Sequence, residues 1–177
     1  RQLTRRMGAM MAGLLEYARI GRKAEMIASV DTGRLVDDIV ASLASRPGLS
    51  IVRSGQWPVL ATLAEPLDLV LRNLIENAVK HHHGKTGRIE IRGENCGEYL
   101  CIDVQDDGPG IDPSFHAAIF EPFRTIPGGA GEESSGIGLA LVKKTVDQLG
   151  GRIAVVSEPS LRPGACFRVH WPKHEPA

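Results

Sequence analysis

Four short stretches carry side chains whose types and spacing suit chemistry. In NLIENAVKHH, Asn73, Glu76, Asn77 and Lys80 recur at steps of three, four and seven, which places them along one stripe of a helix. Carboxamide and carboxylate oxygens suit a hard cation such as Mg2+, and the Lys80 ammonium suits a phosphate. In DDGPGI an aspartate at the end of an apolar run can accept hydrogen bonds from an amino group, and Gly108 and Gly110 let a flat ring approach the backbone. In SSGIGLAL, glycines stand before a helix, where free backbone N–H groups and the helix dipole favour an anion. Between them lies TIPGGAGEESS, polar and glycine-rich, with the composition of a mobile cover. Each pattern also has an ordinary reading when it stands alone: a solvated helix face, a turn, helix punctuation, a surface loop.

The elements that must position these residues are legible as periodicities. EPLDLVLRNLIENAVKHHH reads as a helix with Pro66 in its first turn and Leu67, Val70, Leu71, Leu74, Ile75 and Val79 on the buried face. RIEIRGE and EYLCIDVQD alternate apolar and polar residues and read as strands paired around residues 95–97. GIGLALVKKTVDQLGG reads as a helix stopped by Gly150 and Gly151, followed by strands RIAVVSE and ACFRVHWP. Upstream, Asp31 and Thr32 are N-cap candidates for a helix over 35–44, broken by Arg46-Pro47-Gly48. LSIVRS and WPVLAT then read as two strands around a turn at Ser54 and Gly55. The first segment repeats Leu3, Met7, Met10, Leu14 and Tyr17 at helical spacing, widened by Met11, Leu15 and Ala18, with Gly21 as a stop. This order of elements implies an α+β fold: a two-layer sandwich in which three helices cover a mixed, mostly antiparallel sheet of about five strands, plus an amino-terminal helix.

Composition narrows the function classes. A chain of 177 residues, 42% hydrophobic and 24% charged, suits one soluble domain with a short appendage. Its formal net charge of zero and the lack of a basic block argue against nucleic acid as the main partner. No apolar run approaches the roughly 20 residues of a membrane span, and no signal peptide is evident. Cys96, Cys101 and Cys166 form no CxxC pair; they are expected as small buried hydrophobes in a reducing compartment. His81, His82 and His83 follow one another, so on a helix they diverge and do not converge on one ion.

Together the stretches NLIENAVKHH, DDGPGI, IFEPF and SSGIGLAL resemble, in order, the N, G1, F and G2 boxes of the ATP-binding domain of sensor histidine kinases. That domain has the Bergerat fold of a wider ATPase superfamily shared with gyrase, mismatch-repair proteins and a heat-shock chaperone. The resemblance implies three parts: residues 1–23 as the second helix of a dimerisation domain, 24–34 as a linker, and 35–174 as the catalytic domain. It implies ATP and Mg2+ as cofactors, a response-regulator receiver domain as partner, homodimerisation through the dimerisation helices, no nucleic acid, and a cytoplasmic place for this domain.

Roles carry over by position. Asn77 matches the Mg2+-chelating asparagine, and Asn73 is a supporting polar residue one turn earlier. Lys80 matches a phosphate-contacting lysine and, with Asn73 and Glu76, makes up the catalytic set. Asp106 matches the aspartate that reads the adenine amino group, with Gly108, Gly110 and Ile111 along the base. Phe120 and Phe123 match the aromatic box at the foot of the lid. Ser135, Gly136, Ile137, Gly138 and Leu139 match the phosphate-side box. One departure is Cys166, before Phe167, where relatives often carry a small hydroxyl residue. A second is that none of His81, His82, His83, His116, His170 and His174 has the setting of a phosphoacceptor. The acceptor is therefore expected on an upstream helix. The alternative is a nucleotide-binding regulatory module of the same fold without phosphotransfer.

Overall fold

The computed structural model describes residues 26–43, 46–82, 84–124 and 136–173. The expected amino-terminal helix, the glycine-rich cover including Ser135, and His83 and His174 lie outside the described residues.

Period-two alternation builds the large sheet. Its strands are β2 (Leu49–Gly55), β4 (Gly87–Cys96), β5 (Tyr99–Asp106), β6 (Arg152–Val156) and β7 (Cys166–Pro172), in the order β2-β4-β5-β7-β6. Only β2–β4 is parallel; the other pairs are antiparallel. The register aligns Ile91 with Val104 and Val104 with Phe167, and Leu100 with Trp171, so one face is a continuous apolar floor. Three helices cover it: α1 (Thr32–Ser42), α2 (Ala64–His81) and α3 (Gly138–Gln148). Helix α2 buries Leu67, Val70, Leu71, Leu74, Ile75 and Ala78; α3 buries Ala140, Leu141, Val142, Thr145 and Val146. The two-layer α+β arrangement expected from the sequence is the one observed.

Four local expectations change. Strand β1 (Ile27–Asp31) lies within the expected linker, pairing antiparallel with β3 (Val59–Leu63) as a separate small sheet. Helix α1 starts at Thr32 rather than 35, because the Asp31 carboxylate accepts from the Arg34 N–H at 2.9 Å and fixes the start. Strands β2 and β3 are not a hairpin. Gly55, at φ 79°, turns the chain away and the Gln56 N–H continues onto the Gly93 carbonyl, so β2 stays with β4 while β3 leaves for β1. On α2, Ala78 replaces Val79 at the buried end of the stripe, since the 3.6-residue period carries Val79 to its edge.

A buried hydrogen bond joins the two sheets: the Trp171 indole Nε1 donates to Thr62 Oγ1 at 2.8 Å. Thr62→Val removes the acceptor without changing shape and leaves an indole N–H unpaired in the core. The expected loss is about 1–3 kcal/mol, read in thermal denaturation as a Tm lower by several degrees. An unchanged Tm would show that the two sheets hold together by apolar packing alone.

Candidate functional site

The polar stripe of α2 divides into engaged and unengaged groups. Asn73 donates from Nδ2 to the Leu69 carbonyl at 2.8 Å, a bond back into its own helix. Its Oδ1 lies where it would meet a Cβ on Gly138 at 2.8 Å, so the glycine lets the first turn of α3 close on the carboxamide. Asn77, half-buried, and Lys80, exposed, make no hydrogen bond or ion pair with another described residue. Glu76 is exposed and adds to the negative field that, after the Asp68 carboxylate, raises the pKa of Arg72.

Helix α3 begins without a side-chain cap: Ile137 holds the N-cap position, preceded by Gly136 at φ 67°. Its first-turn N–H groups therefore remain available, the arrangement that favours an anion. The far end is closed by backbone alone. Gly150 N–H donates to the Asp147 carbonyl and Gly151 N–H to the Val146 carbonyl, the double bond of a Schellman motif.

The Gly136 carbonyl also accepts from the Phe123 N–H at 2.8 Å, which ties the end of the IFEPF stretch to the start of SSGIGLAL. Phe123 sits at φ 65° and is 51% exposed, whereas Phe120 packs edge-on against the buried Phe167 at 6.4 Å between ring centroids. The two phenylalanines thus differ: Phe120 is half-buried against the core, and Phe123 stands outward in the left-handed region that a side chain rarely adopts. Ile137 is buried, and Leu139 and Ile111 are half-buried against the core.

Asp106 ends β5. Its Oδ1 accepts from Gly108 N–H at 2.9 Å and from Ala165 N–H at 3.3 Å, which orients the carboxylate. Burial pushes its pKa above the usual aspartate range, against the pull of those two N–H groups and of His82. Beyond it, Gly110 at φ 78° brings the chain against Ser157 and Gly164. The buried Ser157 hydroxyl donates to the Gly164 carbonyl and accepts from Ile111 N–H, both at 2.8 Å. Gly164, at φ 94°, has no room for a Cβ, which would collide with the Asp106 carbonyl. The turn is therefore held from the β6–β7 side.

Residues 62–175 match the family described as histidine kinase-, DNA gyrase B-, and HSP90-like ATPase. The chain belongs to this ATPase family. Among its curated relatives, the sensor protein KdpD of Escherichia coli is 38% identical over 137 residues, 72% of this chain and 14% of that protein. The C4-dicarboxylate transport sensor protein DctB of Rhizobium meliloti is 32% identical over 178 residues, 97% of this chain and 27% of that protein. The chain thus spans between about a seventh and about a quarter of the length of these two relatives. Among solved structures, full-length ShkA in complex with AMPPNP superposes with a TM-score of 0.82 at 27% identity, covering all of this chain and 38% of that one. The mycobacterial sensor histidine kinase MprB shares the fold, with a TM-score of 0.74 at 24% identity over 83% of this chain and 99% of that one.

Within this ATPase domain the structure brings Asn73 to Gly138 and Phe123 to Gly136, and places Asp106 with Gly108 in one hydrogen-bonded turn. Sequence reasoning missed the roles of Ser157 and Ala165, read as parts of the two last strands, and of Gly164, read as part of the loop between them; the Pro-Gly pair before Ala165 was the available signal. It also missed what His82 does: the residue leaves α2 and meets Asp107 at 2.7 Å. Among the described residues no group of three His, Cys, Asp or Glu side chains is placed to hold a metal ion, nor is any helix long and apolar enough to cross a membrane. The cysteine expectation changes at Cys96, which is exposed at the hairpin end of β4; Cys101 is half-buried and Cys166 buried. Burial pushes the Cys166 thiol up to about 11, so beside Phe167 it behaves as a neutral packing group.

Proposed function

We propose that the chain is the ATP-binding catalytic domain of a two-component sensor histidine kinase, in which ATP serves a phosphoryl transfer to a histidine on an upstream dimerisation helix. The observation that carries the reading is the meeting of Asn73 with Gly138, which joins the polar stripe of α2 to the uncapped N-terminus of α3. One side of that junction offers carboxamide and ammonium groups and the other offers backbone N–H groups, a combination suited to a polyphosphate.

Asp106 accepts from the adenine amino group; Gly108 and Gly110 serve by shaping its turn rather than by leaving the ring face open as expected, since a Cβ on Gly108 would meet the Asp106 carboxylate and one on Gly110 would meet Ser157 and Gly164. Lys80 and the first N–H groups of α3 hold the phosphates and offset charge that develops during transfer. The residues fit Mg2+ in the manner of nucleotide sites, where one oxygen ligand from the protein suffices beside phosphate oxygens. Asn77 supplies that oxygen, since its carboxamide is half-buried and unengaged among the described residues. When bound, Mg2+ neutralises phosphate charge. The phosphohistidine then passes its phosphoryl group to an aspartate on a response-regulator receiver domain, and the kinase works as a homodimer through its dimerisation helices.

Two measurements test this reading. Calorimetry of the 177-residue chain with ADP and Mg2+ is expected to show saturable binding. Addition of a separately produced acceptor helix pair and ATP is expected to label the acceptor histidine. Binding without labelling by any acceptor pair would favour a regulatory nucleotide module, and absence of binding would end the proposal.

A further inference from the structure

We propose that His82 is a positioning residue: its imidazole fastens the Asp106–Gly108 turn to the end of α2, so that the base-reading and phosphate-binding parts of the site keep one geometry. The inference rests on the nucleotide reading above and adds a determinant of base selectivity to it.

The imidazole is 3% exposed and sits in a cradle from which Cβ atoms have been left out. A Cβ on Gly87 would collide with the ring, one on Gly84 would stand 2.8 Å from Cε1, and one on Gly108 would touch Cδ2 at 3.6 Å. His82 Nε2 lies 2.7 Å from Asp107 Oδ1, which also accepts from the Arg88 N–H at 2.8 Å. That backbone N–H, followed by His82, holds the Asp107 carboxyl below the usual aspartate range, so the carboxylate accepts and Nε2 carries the proton. On its other side the His82 carbonyl accepts from Arg46, whose guanidinium also bonds the Val79 and Gly84 carbonyls and so closes the end of α2. The residue is thus fixed to the helix that carries Asn77 and Lys80, and it grips the residue between Asp106 and Gly108. The Gly108 N–H orients the Asp106 carboxylate, so a displacement of Asp107 is passed directly to it.

Stability alone does not account for an imidazole here. His82 Nδ1 is buried without a partner among the described residues, a loss that an apolar side chain of similar volume would avoid. What the imidazole adds is a directed bond to the base-reading turn.

The test compares the affinities of ADP and GDP, each with Mg2+, in the full 177-residue chain by calorimetry. His82→Ala is expected to reduce the preference for ADP by about tenfold, Asp107→Ala to reduce it similarly, and the double variant to lose no more than either single one. His82→Gln, which can present an N–H near the position of Nε2, is expected to recover most of the preference. A purely structural role would lower Tm and weaken both nucleotides alike, leaving their ratio unchanged. An unchanged ratio in His82→Ala overturns the proposal. If that variant does not fold, an unchanged ratio in Asp107→Ala, whose side chain is half exposed, overturns it instead. Failure of the unaltered chain to bind ADP would overturn the nucleotide reading, and this role with it.

Discussion

Asp106→Asn is expected to weaken adenine-nucleotide binding by roughly 10²-fold, about 3 kcal/mol, while the fold persists. The substitution is nearly isosteric, and the amide oxygen can keep both acceptor roles now filled by Oδ1, toward the Gly108 and Ala165 N–H groups. What changes is the second oxygen. It becomes an NH2 that donates, and it would oppose the amino group that the carboxylate is proposed to accept from, leaving two donors face to face in a partly dry turn. Calorimetry with ADP reads the effect and thermal unfolding checks the fold. Affinity equal to that of the unaltered chain would remove Asp106 from base recognition.

The same carboxylate gives binding an acid limb. Burial outweighs the neighbouring N–H groups and raises the Asp106 pKa, while the Arg88 N–H, followed by the His82 bond, lowers that of Asp107. If Asp106 reads adenine as proposed, recognition needs it ionised, so affinity is expected to be full above its raised pKa and to fall as pH drops through it, before an ordinary aspartate would titrate. The stability contributions have opposite signs. Asp106 takes its proton more readily in the folded state, so its contribution is fully present below the unfolded pKa and is lost as pH rises through the folded one. Asp107 contributes stability above its unfolded pKa and loses it only as pH falls through its depressed folded value. On acidification nucleotide binding is therefore expected to weaken while the Asp107 clamp still holds. Titrations in mildly acidic buffers, with Asp106→Asn as the variant lacking this limb, check the order; loss of affinity only together with unfolding would contradict it.

How much of this was legible from residues alone depends on whether the signal was local. The alternation in β4 and β5 and the stripe on α2 are properties of neighbours in sequence, and they placed the hairpin, the long helix and its polar face correctly. Strand β2 was visible as a strand, but its partner was not. Two adjacent apolar runs suggest a hairpin, whereas the parallel pairing with β4 depends on the crossover through β3 and α2. Strand β1 is short and mostly exposed, with little alternation to reveal it. At the candidate site, Asp106, Gly110 and Gly136 each had an ordinary reading as turn or helix punctuation, and they stood out only because the four stretches occur together and in order. Ser157 and Gly164 did not, because a hydroxyl and a glycine in a loop acquire meaning only from the chain they meet, Ile111 and Asp106. His82 was read with its two neighbours as a helical tract whose side chains diverge. The structure separates it, because α2 ends at His81 and the next residue turns inward.

Asn77→Ala is expected to lower phosphoryl transfer, once an acceptor helix is supplied, on the order of 10²-fold, with nucleotide binding affected only when Mg2+ is present. The four-residue spacing between Asn73 and Asn77 puts two carboxamides on one stripe, and their surroundings assign them differently. Asn73 is held by the Leu69 carbonyl and set against Gly138, so its alteration disturbs the packing of α2 on α3 and should lower Tm. Asn77 has no such engagement among the described residues, so its removal should leave Tm nearly unchanged. Magnesium-free ADP binding then serves as the internal reference. The turn proposed to read the base lies at the end of β5 and is held by Ala165, Ser157 and His82, none of which bonds the Asn77 side chain. The affinity ratio with and without Mg2+ should therefore collapse toward one in Asn77→Ala and stay as it is in Asp106→Asn, where both affinities fall together. Equal losses with and without the metal in Asn77→Ala would mean that the carboxamide contacts the nucleotide itself and that the cation is held by other groups.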